Sequence, residues 1–328
     1  MTAKILSGRE ISASILAEVK ADVRRIIAES GAAPGLAVLR VGDDPASAVY
    51  VAKKVQACNE VGIRSQHIHL PETITEDELI NGLMSLNEDP KIDGILVQLP
   101  LPAHLDVQAI TESICVKKDV DGFHPTNVGR LSQGRECLKP CTPAGIIEIL
   151  KRSAVEIEGR NTVIVGRSNI VGKPLAAMMI NENSTVTVCH SRTRNLAEIT
   201  RSADILVAAI GRAGYLRAEH IRPGSAVIDV GINRVSDPAF AAELFGGEEL
   251  DKRLSTIKQR GATIVGDVNP KEALERAGFY TPVPGGVGLL TVAMLLKNTV
   301  TAARMQRQKT DAVRLSSPSR SKNVSQKS

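Results

Sequence analysis

One stretch of this chain runs Thr162-Val-Ile-Val-Gly166-Arg-Ser-Asn-Ile-Val-Gly172-Lys-Pro174. It reads as an apolar strand, a glycine loop and the start of a helix. This order is typical of sites that hold a dinucleotide phosphate at a helix N-terminus. The spacing departs from G-x-G-x-x-G, because Ser168 stands in the place of the second glycine. Taken alone, the loop fits a tight turn as well as a nucleotide site, so the surrounding sequence has to decide.

The second half of the chain repeats the pattern of an apolar strand that ends at glycine. The predicted strands cover residues 162–165, 204–210, 226–230 and 262–265, and a fifth covers residues 185–189. Ligands of open parallel sheets bind at the carboxyl ends of the strands, where glycine lets them approach the backbone. We therefore predict a Rossmann-type, parallel-sheet nucleotide-binding domain over residues 122–288.

The end of the strand at residues 185–189 indicates which nucleotide is bound. NAD sites usually place an acidic residue about 20 residues after the first glycine, where it binds the ribose 2′-hydroxyl. Here the sequence reads Val188-Cys-His-Ser191-Arg192-Thr, without an acid. A hydroxyl and a guanidinium suit a 2′-phosphate, and Arg167 adds a second cation. NADP is the predicted cofactor, while Arg192 by itself also fits a solvated loop.

The first half shows helix and strand patterns in the order βαβαβ, which predicts a second parallel sheet. A capping box at Ser7–Glu10 opens the first helix, and strands are predicted at residues 36–41, 66–70 and 94–99. A last helix, at residues 289–303, is predicted to pack back onto this half. The predicted fold is therefore α/β with two domains: an N-terminal α/β substrate and catalytic domain (residues 1–121) and the nucleotide domain.

Composition and charge narrow the class of protein. The chain has 328 residues, of which 43% are hydrophobic and 23% charged, enough for two domains with apolar cores. No apolar run approaches the roughly 20 residues that span a bilayer, and the start lacks a signal-peptide pattern. We expect a cytoplasmic protein with no membrane partner. Its five scattered cysteines are expected to be reduced thiols that form no metal site.

The net charge of +5 arises at the end of the chain. Residues 304–328 contain seven basic residues and one acidic residue, so the rest of the chain is nearly neutral. This Ser-rich tail has no apolar period and is expected to be disordered and dispensable. Nucleic acid is not an expected partner of the body, and RNA binding is a minor alternative confined to the tail.

Polar residues interrupt the apolar pattern at three places that suggest a site. Tyr50 and Lys54 have i, i+4 spacing and project from one face of a predicted helix. Gln98 stands near the end of an otherwise apolar strand, just before prolines that cannot pair further. Asp121 lies in an acidic cluster at the predicted domain junction. The loop at residues 280–288 returns to that junction, and its prolines and glycines fit either close approach to a flat ligand or a plain linker.

Six motifs, taken together and in this order, resemble the bifunctional methylenetetrahydrofolate dehydrogenase/cyclohydrolase family. They are Tyr50-Val-Ala-Lys-Lys54, Gly94-Ile-Leu-Val-Gln-Leu-Pro-Leu-Pro102, Lys118-Asp-Val-Asp-Gly-Phe-His-Pro125, Gly166-Arg-Ser-Asn-Ile-Val-Gly172, Val227-Ile-Asp-Val-Gly-Ile-Asn233 and Thr281-Pro-Val-Pro-Gly-Gly-Val-Gly288. The resemblance covers residues 3–303. It implies oxidation of 5,10-methylenetetrahydrofolate to 5,10-methenyltetrahydrofolate with NADP, followed by hydrolysis to 10-formyltetrahydrofolate. It also implies a homodimer formed through the nucleotide domain.

The resemblance assigns roles to individual residues. Tyr50 would stack on the aminobenzoate ring of the folate, Lys54 would be the catalytic lysine, and Gln98 would hydrogen-bond to it. Asp121 would hold the pterin ring. The other residues that bind the tetrahydrofolate derivative would be Val97, Leu99, Pro284, Gly285, Gly286, Val287 and Gly288. The residues that bind NADP would be Gly166, Arg167, Ser168, Ser191, Arg192 and Ile232.

Elementary chemistry agrees with these roles. Hydride transfer requires positioning more than proton transfer, whereas hydrolysis of the methenyl cation requires a proton acceptor. A lysine beside a substrate cation gives up its proton more readily and can serve as that acceptor. A carboxylate such as Asp121 can accept two N–H groups of a pterin as a fork.

Two segments depart from the family pattern. Leu289 stands where the family usually has proline, and residues 236–261 form a longer segment with helical apolar spacing. That segment would either cover the cofactor or only extend the surface. Two other functions remain open: an NADP-dependent shikimate- or amino-acid-type dehydrogenase, and a nucleotide-sensing or RNA-binding module.

Overall fold

The computed structural model describes residues 2–316, and the first half of the chain forms a three-stranded parallel sheet. The strand order is β3 (Arg64–Leu70), β2 (Gly35–Val41) and β4 (Gly94–Val97), and both pairings are parallel, which confirms the predicted βαβαβ unit. The elements are β1 (Lys4–Ile5), α1 (Gly8–Ser30), β2 (Gly35–Val41), α2 (Pro45–Val61), β3 (Arg64–Leu70), α3 (Glu76–Glu88) and β4 (Gly94–Val97).

Local capping sets the position of α2, the helix that carries Tyr50 and Lys54. The Asp44 carboxylate accepts from the Ser47 N–H at 2.7 Å, and Pro45 occupies the first turn, where its missing N–H costs nothing. Gly62 ends the helix in the left-handed conformation, with φ of 88°. The start of the helix is therefore fixed directly after the carboxyl end of β2.

The second sheet has six strands, all paired in parallel, in the order β1, β11 (Phe279–Tyr280), β8 (Ala226–Asp229), β7 (Ile205–Ala208), β5 (Asn161–Val165) and β6 (Thr185–Cys189). This confirms the Rossmann-type prediction. β1 and β11 have two residues each, too few to show a period in the sequence, and β1 brings the chain start into this sheet. The elements that lead to it and build it are α4 (Val107–Ser113), α5 (Pro125–Ser132), α6 (Cys141–Arg152), β5 (Asn161–Val165), α7 (Gly172–Asn181), β6 (Thr185–Cys189), α8 (Leu196–Thr200), β7 (Ile205–Ala208) and β8 (Ala226–Asp229).

The strand predicted at residues 262–265 lies outside the six-stranded sheet. It forms β10 (Thr263–Val265), which pairs antiparallel with β9 (Asn233–Val235). The long segment between them is helical, as predicted, and forms α9 (Pro238–Leu244) and α10 (Gly247–Arg260). A parallel pairing needs a crossover over a sheet face, whereas these helices return the chain beside β9. α11 (Pro270–Arg276) then leads to β11 (Phe279–Tyr280).

The last helix, α12, runs from Val287 to Ser316, so the predicted end at residue 303 and the disorder predicted from residue 304 are wrong for residues 304–316. The disorder was predicted from the excess of basic residues, which gives no information about the hydrogen-bond partners of individual side chains in this segment. The Arg307 guanidinium lies 3.1 Å from the buried Asp93 carboxylate, and Gln306 Nε2 donates to the Asp93 carbonyl at 2.9 Å. Residues 317–328 of the predicted tail lie outside the described residues.

α12 packs against α1 and α6, which confirms that the C-terminal helix returns to the first half of the chain. Its apolar face joins a continuous core that includes Ile15 of α1, Ile146 of α6, and Leu290 and Leu296 of α12. Contiguous burial of this kind is the main stabilising contribution in a domain of this size. Among the residues described, no helix has the length and apolar character that crossing a membrane requires.

Candidate active site

Lys54 and Gln98 meet at the carboxyl end of the first sheet. Lys54 Nζ donates to Gln98 Oε1 at 2.8 Å, a contact that the family resemblance implies. Gln98 follows β4, and its backbone N–H donates to the Leu39 carbonyl at 2.8 Å. Its side-chain nitrogen donates to the Leu99 carbonyl at 2.5 Å, which leaves the amide oxygen to face Lys54. The glutamine therefore holds the lysine amine in a defined place without neutralising its charge.

Asp121 lies beside this pair. Burial raises the pKa of its carboxyl to about 6, the Lys54 charge opposes this shift, and Asp119 adds to it. The other members of the acidic cluster are structural. Lys118 Nζ donates to the carbonyl of Leu86 at 3.0 Å, and the Asp119 carboxylate accepts from the His124 N–H at 2.9 Å. The side chains of Lys118 and Asp119 are thus engaged with the backbone, whereas the Lys54 charge acts on Asp121.

The turn after Asp121 requires glycine. Gly122 has φ of 71°, and a Cβ there would lie 2.6 Å from the Lys139 carbonyl carbon. The same turn brings Cys141 close, with its Sγ 4.0 Å from Asp121 Oδ1 and 3.4 Å from the Val120 carbonyl oxygen. Burial raises the pKa of the Cys141 thiol well above its usual value, so it stays protonated.

The proline- and glycine-rich loop faces Tyr50 across a cleft of about 210 Å³. Tyr50 is 43% exposed, which leaves its ring free to meet a ligand. Gly8 packs directly on the loop, because a Cβ there would lie 2.0 Å from the Gly286 oxygen. The cleft is lined by Tyr50, Lys53, Asp229, Val230, Gly231, Ile232, Ile264 and residues 282–289. The structure thus brings Ile232, a predicted cofactor residue, to the same cleft as the predicted folate loop.

A second cavity, of about 370 Å³, lies at the carboxyl ends of β5 and β6. Three of the residues expected to bind NADP line it, namely Gly166, Arg167 and Ser191, and the described residues that line it include no acid. Arg192 is exposed and is not among those lining residues. Ser168 Oγ accepts from the backbone N–H groups of Val171 and Gly172 at 3.2 and 3.4 Å, so it shapes the loop from within.

This cavity fits one end of a dinucleotide. Gly166 has φ of 140°, and a Cβ there would lie 2.2 Å from the Ala209 oxygen, so the backbone closes tightly where the loop leaves β5. His190, Thr193 and Arg212 also line it, although no sequence motif assigned them to this site. The guanidinium carbon of Arg212 lies 4.0 Å from the centre of the Tyr215 ring, which gives a flat cationic wall.

Two models of one protein family match the two halves of the chain. The tetrahydrofolate dehydrogenase/cyclohydrolase catalytic domain matches residues 6–121, and the NAD(P)-binding domain of the same family matches residues 140–307. The chain belongs to the tetrahydrofolate dehydrogenase/cyclohydrolase family. This membership confirms the resemblance carried by the six motifs, and it disfavours the shikimate- or amino-acid-type alternative.

Individual members of the dehydrogenase/cyclohydrolase family are similar over nearly the whole chain. The bifunctional protein FolD of Koribacter versatilis is 52% identical over 310 residues, which is 94% of this chain and 100% of that protein. The crystal structure of FolD from Campylobacter jejuni is 43% identical, with a TM-score of 0.83 over 93% of this chain and 99% of that one. The Trypanosoma brucei enzyme, solved with NADP and an inhibitor, is 38% identical, with a TM-score of 0.84 over 94% of this chain and 99% of that one.

Two buried aspartates, Asp229 and Asp267, accept hydrogen bonds from backbone segments near the cleft. No sequence motif had assigned them a role. Asp229 accepts from the N–H groups of Gly231 at 3.0 Å and Asp267 at 2.8 Å, and burial raises its pKa to about 7. Asp267 accepts from the N–H groups of Ile210 at 2.7 Å and of Arg212 at 2.8 Å. Asp267 directly follows Gly266, and Asp229 lies two residues before Gly231. Both glycines were predicted to end strands, and this position is the signal that could have pointed to the two aspartates.

The remaining predicted residues lie in different surroundings. Val97 and Leu99 line a small cavity together with Asp121 and Phe123. Leu289, which departs from the family pattern, is 40% exposed, and its carbonyl accepts from the Ser12 hydroxyl at 3.2 Å. The exit of the loop is therefore held by α1 in the absence of proline.

Proposed function

We propose that this chain oxidises 5,10-methylenetetrahydrofolate to 5,10-methenyltetrahydrofolate with NADP and then hydrolyses the product to 10-formyltetrahydrofolate. The observation that carries the proposal is the Lys54–Gln98 pair beside Asp121. An amine, an amide and a carboxylate in one place can hold a folate and move a proton. The family to which the chain belongs is described by the same pair of activities.

The folate is expected to lie between α2 and the proline-rich loop. The exposed ring of Tyr50 offers a face for the aminobenzoate group, and Pro284 to Gly288 form the opposite wall. Asp121, ionised at neutral pH, would accept from the pterin N–H groups as a fork. The folate carbon would thus lie within reach of Lys54.

NADP is the proposed cofactor, and when bound it supplies the acceptor for the hydride. Arg167 and Ser191 face the cavity at the end of β6, where a 2′-phosphate would need a cation and a hydroxyl. Gly166 has no side chain, so the backbone of the loop at this cavity can approach the cofactor closely. Ile232 would lie against the nicotinamide end. In this step the residues of the chain align the two reactants, and none of them takes up the hydride.

In the hydrolysis step, Lys54 is proposed to act as the proton acceptor. Water adds its oxygen to the methenyl carbon and gives one proton to the amine nitrogen of Lys54. The bond from that carbon to N5 then breaks, and the remaining hydroxyl proton passes to N5 as the formyl group forms. Lys54 releases its proton to solvent, so the step yields one proton overall. Gln98 keeps the amine directed at the substrate throughout.

The predicted homodimer through the nucleotide domain also remains a proposal. β6 is the edge strand of the six-stranded sheet and leaves its outer backbone groups unpaired within that sheet. Exposed apolar side chains lie on β6 and on the preceding helix α7: Val188 of β6 is 37% exposed and Ile180 of α7 is 59% exposed. Pairing of two such edges across a two-fold axis would cover both features. A cytoplasmic location is likewise proposed, and the five free cysteines agree with it.

The test of the proposed function is an assay of the purified chain with methylenetetrahydrofolate and NADP. Formation of NADPH reports oxidation, and the methenyl and formyl products are followed separately. Both products are expected from the unmodified chain. The function proposed here is wrong if shikimate is oxidised and methylenetetrahydrofolate is not.

A further inference from the structure

The long segment between β9 and β10 reaches the cleft through one side chain, that of Arg253 on α10. Within α10, which the structure describes in full, no residue is fully buried. The other charged side chains of this helix are exposed, whereas the Arg253 side chain is only 12% exposed. Long charged side chains are rarely buried unless they have several partners. The burial of Arg253 therefore requires an explanation beyond the stability of the helix.

Each of the three guanidinium nitrogens of Arg253 donates a hydrogen bond. Nε donates to the Glu249 carboxylate at 2.7 Å, Nη1 to the Ile264 carbonyl at 2.7 Å and Nη2 to the Val283 carbonyl at 3.1 Å. The guanidinium carbon also lies 4.5 Å from the centre of the Phe245 ring. A planar fork can hold two carbonyls at once while it stacks on a ring, which the point charge of a lysine cannot do.

The two carbonyls belong to separate segments that both line the cleft: Ile264 lies on β10 and Val283 in the proline-rich loop. Pro282 and Pro284 have no N–H group, so this loop can form few backbone hydrogen bonds of its own. A second hydrogen bond reaches it from α1, where the Gly8 N–H donates to the Gly285 carbonyl at 2.9 Å. Arg253 therefore holds one side of the loop, and α1 holds the other.

We propose that Arg253 is a positioning residue that fixes the folate-facing wall of the cleft. The long segment then contributes to substrate binding and does more than extend the surface. This inference rests on the proposed function for its substrate. α10 supplies no residue to the described lining of the cavity at the end of β6, so loss of Arg253 weakens folate binding more than NADP binding.

Kinetics of three variants test the inference. Arg253→Met removes all the donors, and Arg253→Lys keeps the charge but places all its N–H donors on one nitrogen atom. Arg260→Met removes an exposed arginine from the same helix as a control. We expect Arg253→Met to raise the KM for methylenetetrahydrofolate about tenfold, the loss typical of a buried hydrogen-bonded charge. The KM of Arg253→Lys should lie between those of the unmodified chain and Arg253→Met. The kcat of both variants should stay within about twofold of that of the unmodified chain. Equal increases in both KM values, or none in a folded variant, overturn the inference.

A measurement without substrate separates this inference from the proposed function. Hydrogen exchange of the Gly285, Gly286 and Val287 amides reports how firmly the loop is held. Exchange should be about tenfold faster in Arg253→Met and unchanged in Arg260→Met, both compared with the unmodified chain in the absence of ligands. Unchanged exchange in Arg253→Met would show that the loop does not depend on this residue. An unmodified chain that fails to oxidise folate would instead refute the proposed function, and the exchange result would still stand.

Discussion

Replacing Lys54 by methionine should separate the two proposed reactions. The change keeps most of the side-chain volume and removes the charge and every donor. In the structure it deletes the 2.8 Å hydrogen bond to Gln98 and the positive charge that opposes the raised pKa of Asp121. The geometry of α2 should survive, because the cap at Asp44 and Pro45 is untouched.

The expected magnitudes differ between the two steps. Hydrolysis should fall by on the order of 10²–10⁴-fold, the range for loss of a general acid–base group. Oxidation loses only one positioning hydrogen bond, of about 1–1.5 kcal/mol, and should fall by roughly tenfold. The ratio of hydrolysis to oxidation should therefore drop by on the order of 10–10³-fold.

The assay measures that ratio with saturating substrates near pH 8, after subtraction of uncatalysed hydrolysis. This pH lies well above the pKa of about 6 at Asp121, which rises further in the variant when the Lys54 charge is lost. Lys20→Met, which removes an exposed lysine from α1, controls for the loss of a surface charge. If the ratio in Lys54→Met equals that of the unmodified chain, Lys54 only binds substrate and the proposed proton transfer is wrong.

Three further outcomes are expected. Replacing Arg167 and Ser191 together should raise the KM for NADP far more than that for NAD, and equal efficiency of the unmodified chain with both cofactors would refute the NADP assignment. A chain that ends at Arg304 loses the cation beside the buried Asp93 carboxylate and should lose about 1–3 kcal/mol of unfolding free energy. A chain that ends at Ser316 is its matched control in thermal melts. Finally, Asp121 has a folded pKa raised from 3.8 to about 6, so its contribution to stability falls as the pH rises through that interval. In the unmodified chain, the KM for the folate substrate is expected to rise below about pH 6. Asp121→Asn should remove this rise and should also flatten the dependence of Tm on pH in that interval. If either pH profile of the variant equals that of the unmodified chain, the role assigned to Asp121 is contradicted.

The prediction that the tail is disordered from residue 304 onward shows where reasoning from composition fails. Counting charges after residue 304 indicates a chain that cannot bury apolar surface. Arg307 is nonetheless ordered, because its guanidinium lies against Asp93 and donates to the carbonyl of Ala32 at 2.7 Å. Those partners lie more than 200 residues earlier in the chain, and no local pattern connects them to Arg307.

The site shows the same division. The spacing of Tyr50 and Lys54 predicts a shared helix face, and the apolar run before Gln98 predicts a strand, both from local periodicity. The 2.8 Å contact between the helix and the strand came into the prediction through the family resemblance, since periodicity carries no information about distance between elements. Asp229 and Asp267 were missed because a carboxylate that accepts backbone N–H groups looks, in sequence, like any loop aspartate.

The sequence by itself determined the two parallel sheets, the glycine loop after β5 and the missing acid after β6. These features depend on hydrophobic period, on glycine conformation and on residue type at fixed spacing, which are all local properties. Only the tertiary structure decided the antiparallel pairing of β9 and β10, the entry of β1 into the second sheet, the burial of Arg253 and the contact of Arg307 with the buried Asp93. A charged side chain is buried only where distant parts of the chain supply its hydrogen-bond partners, and those partners come together only once the chain has folded.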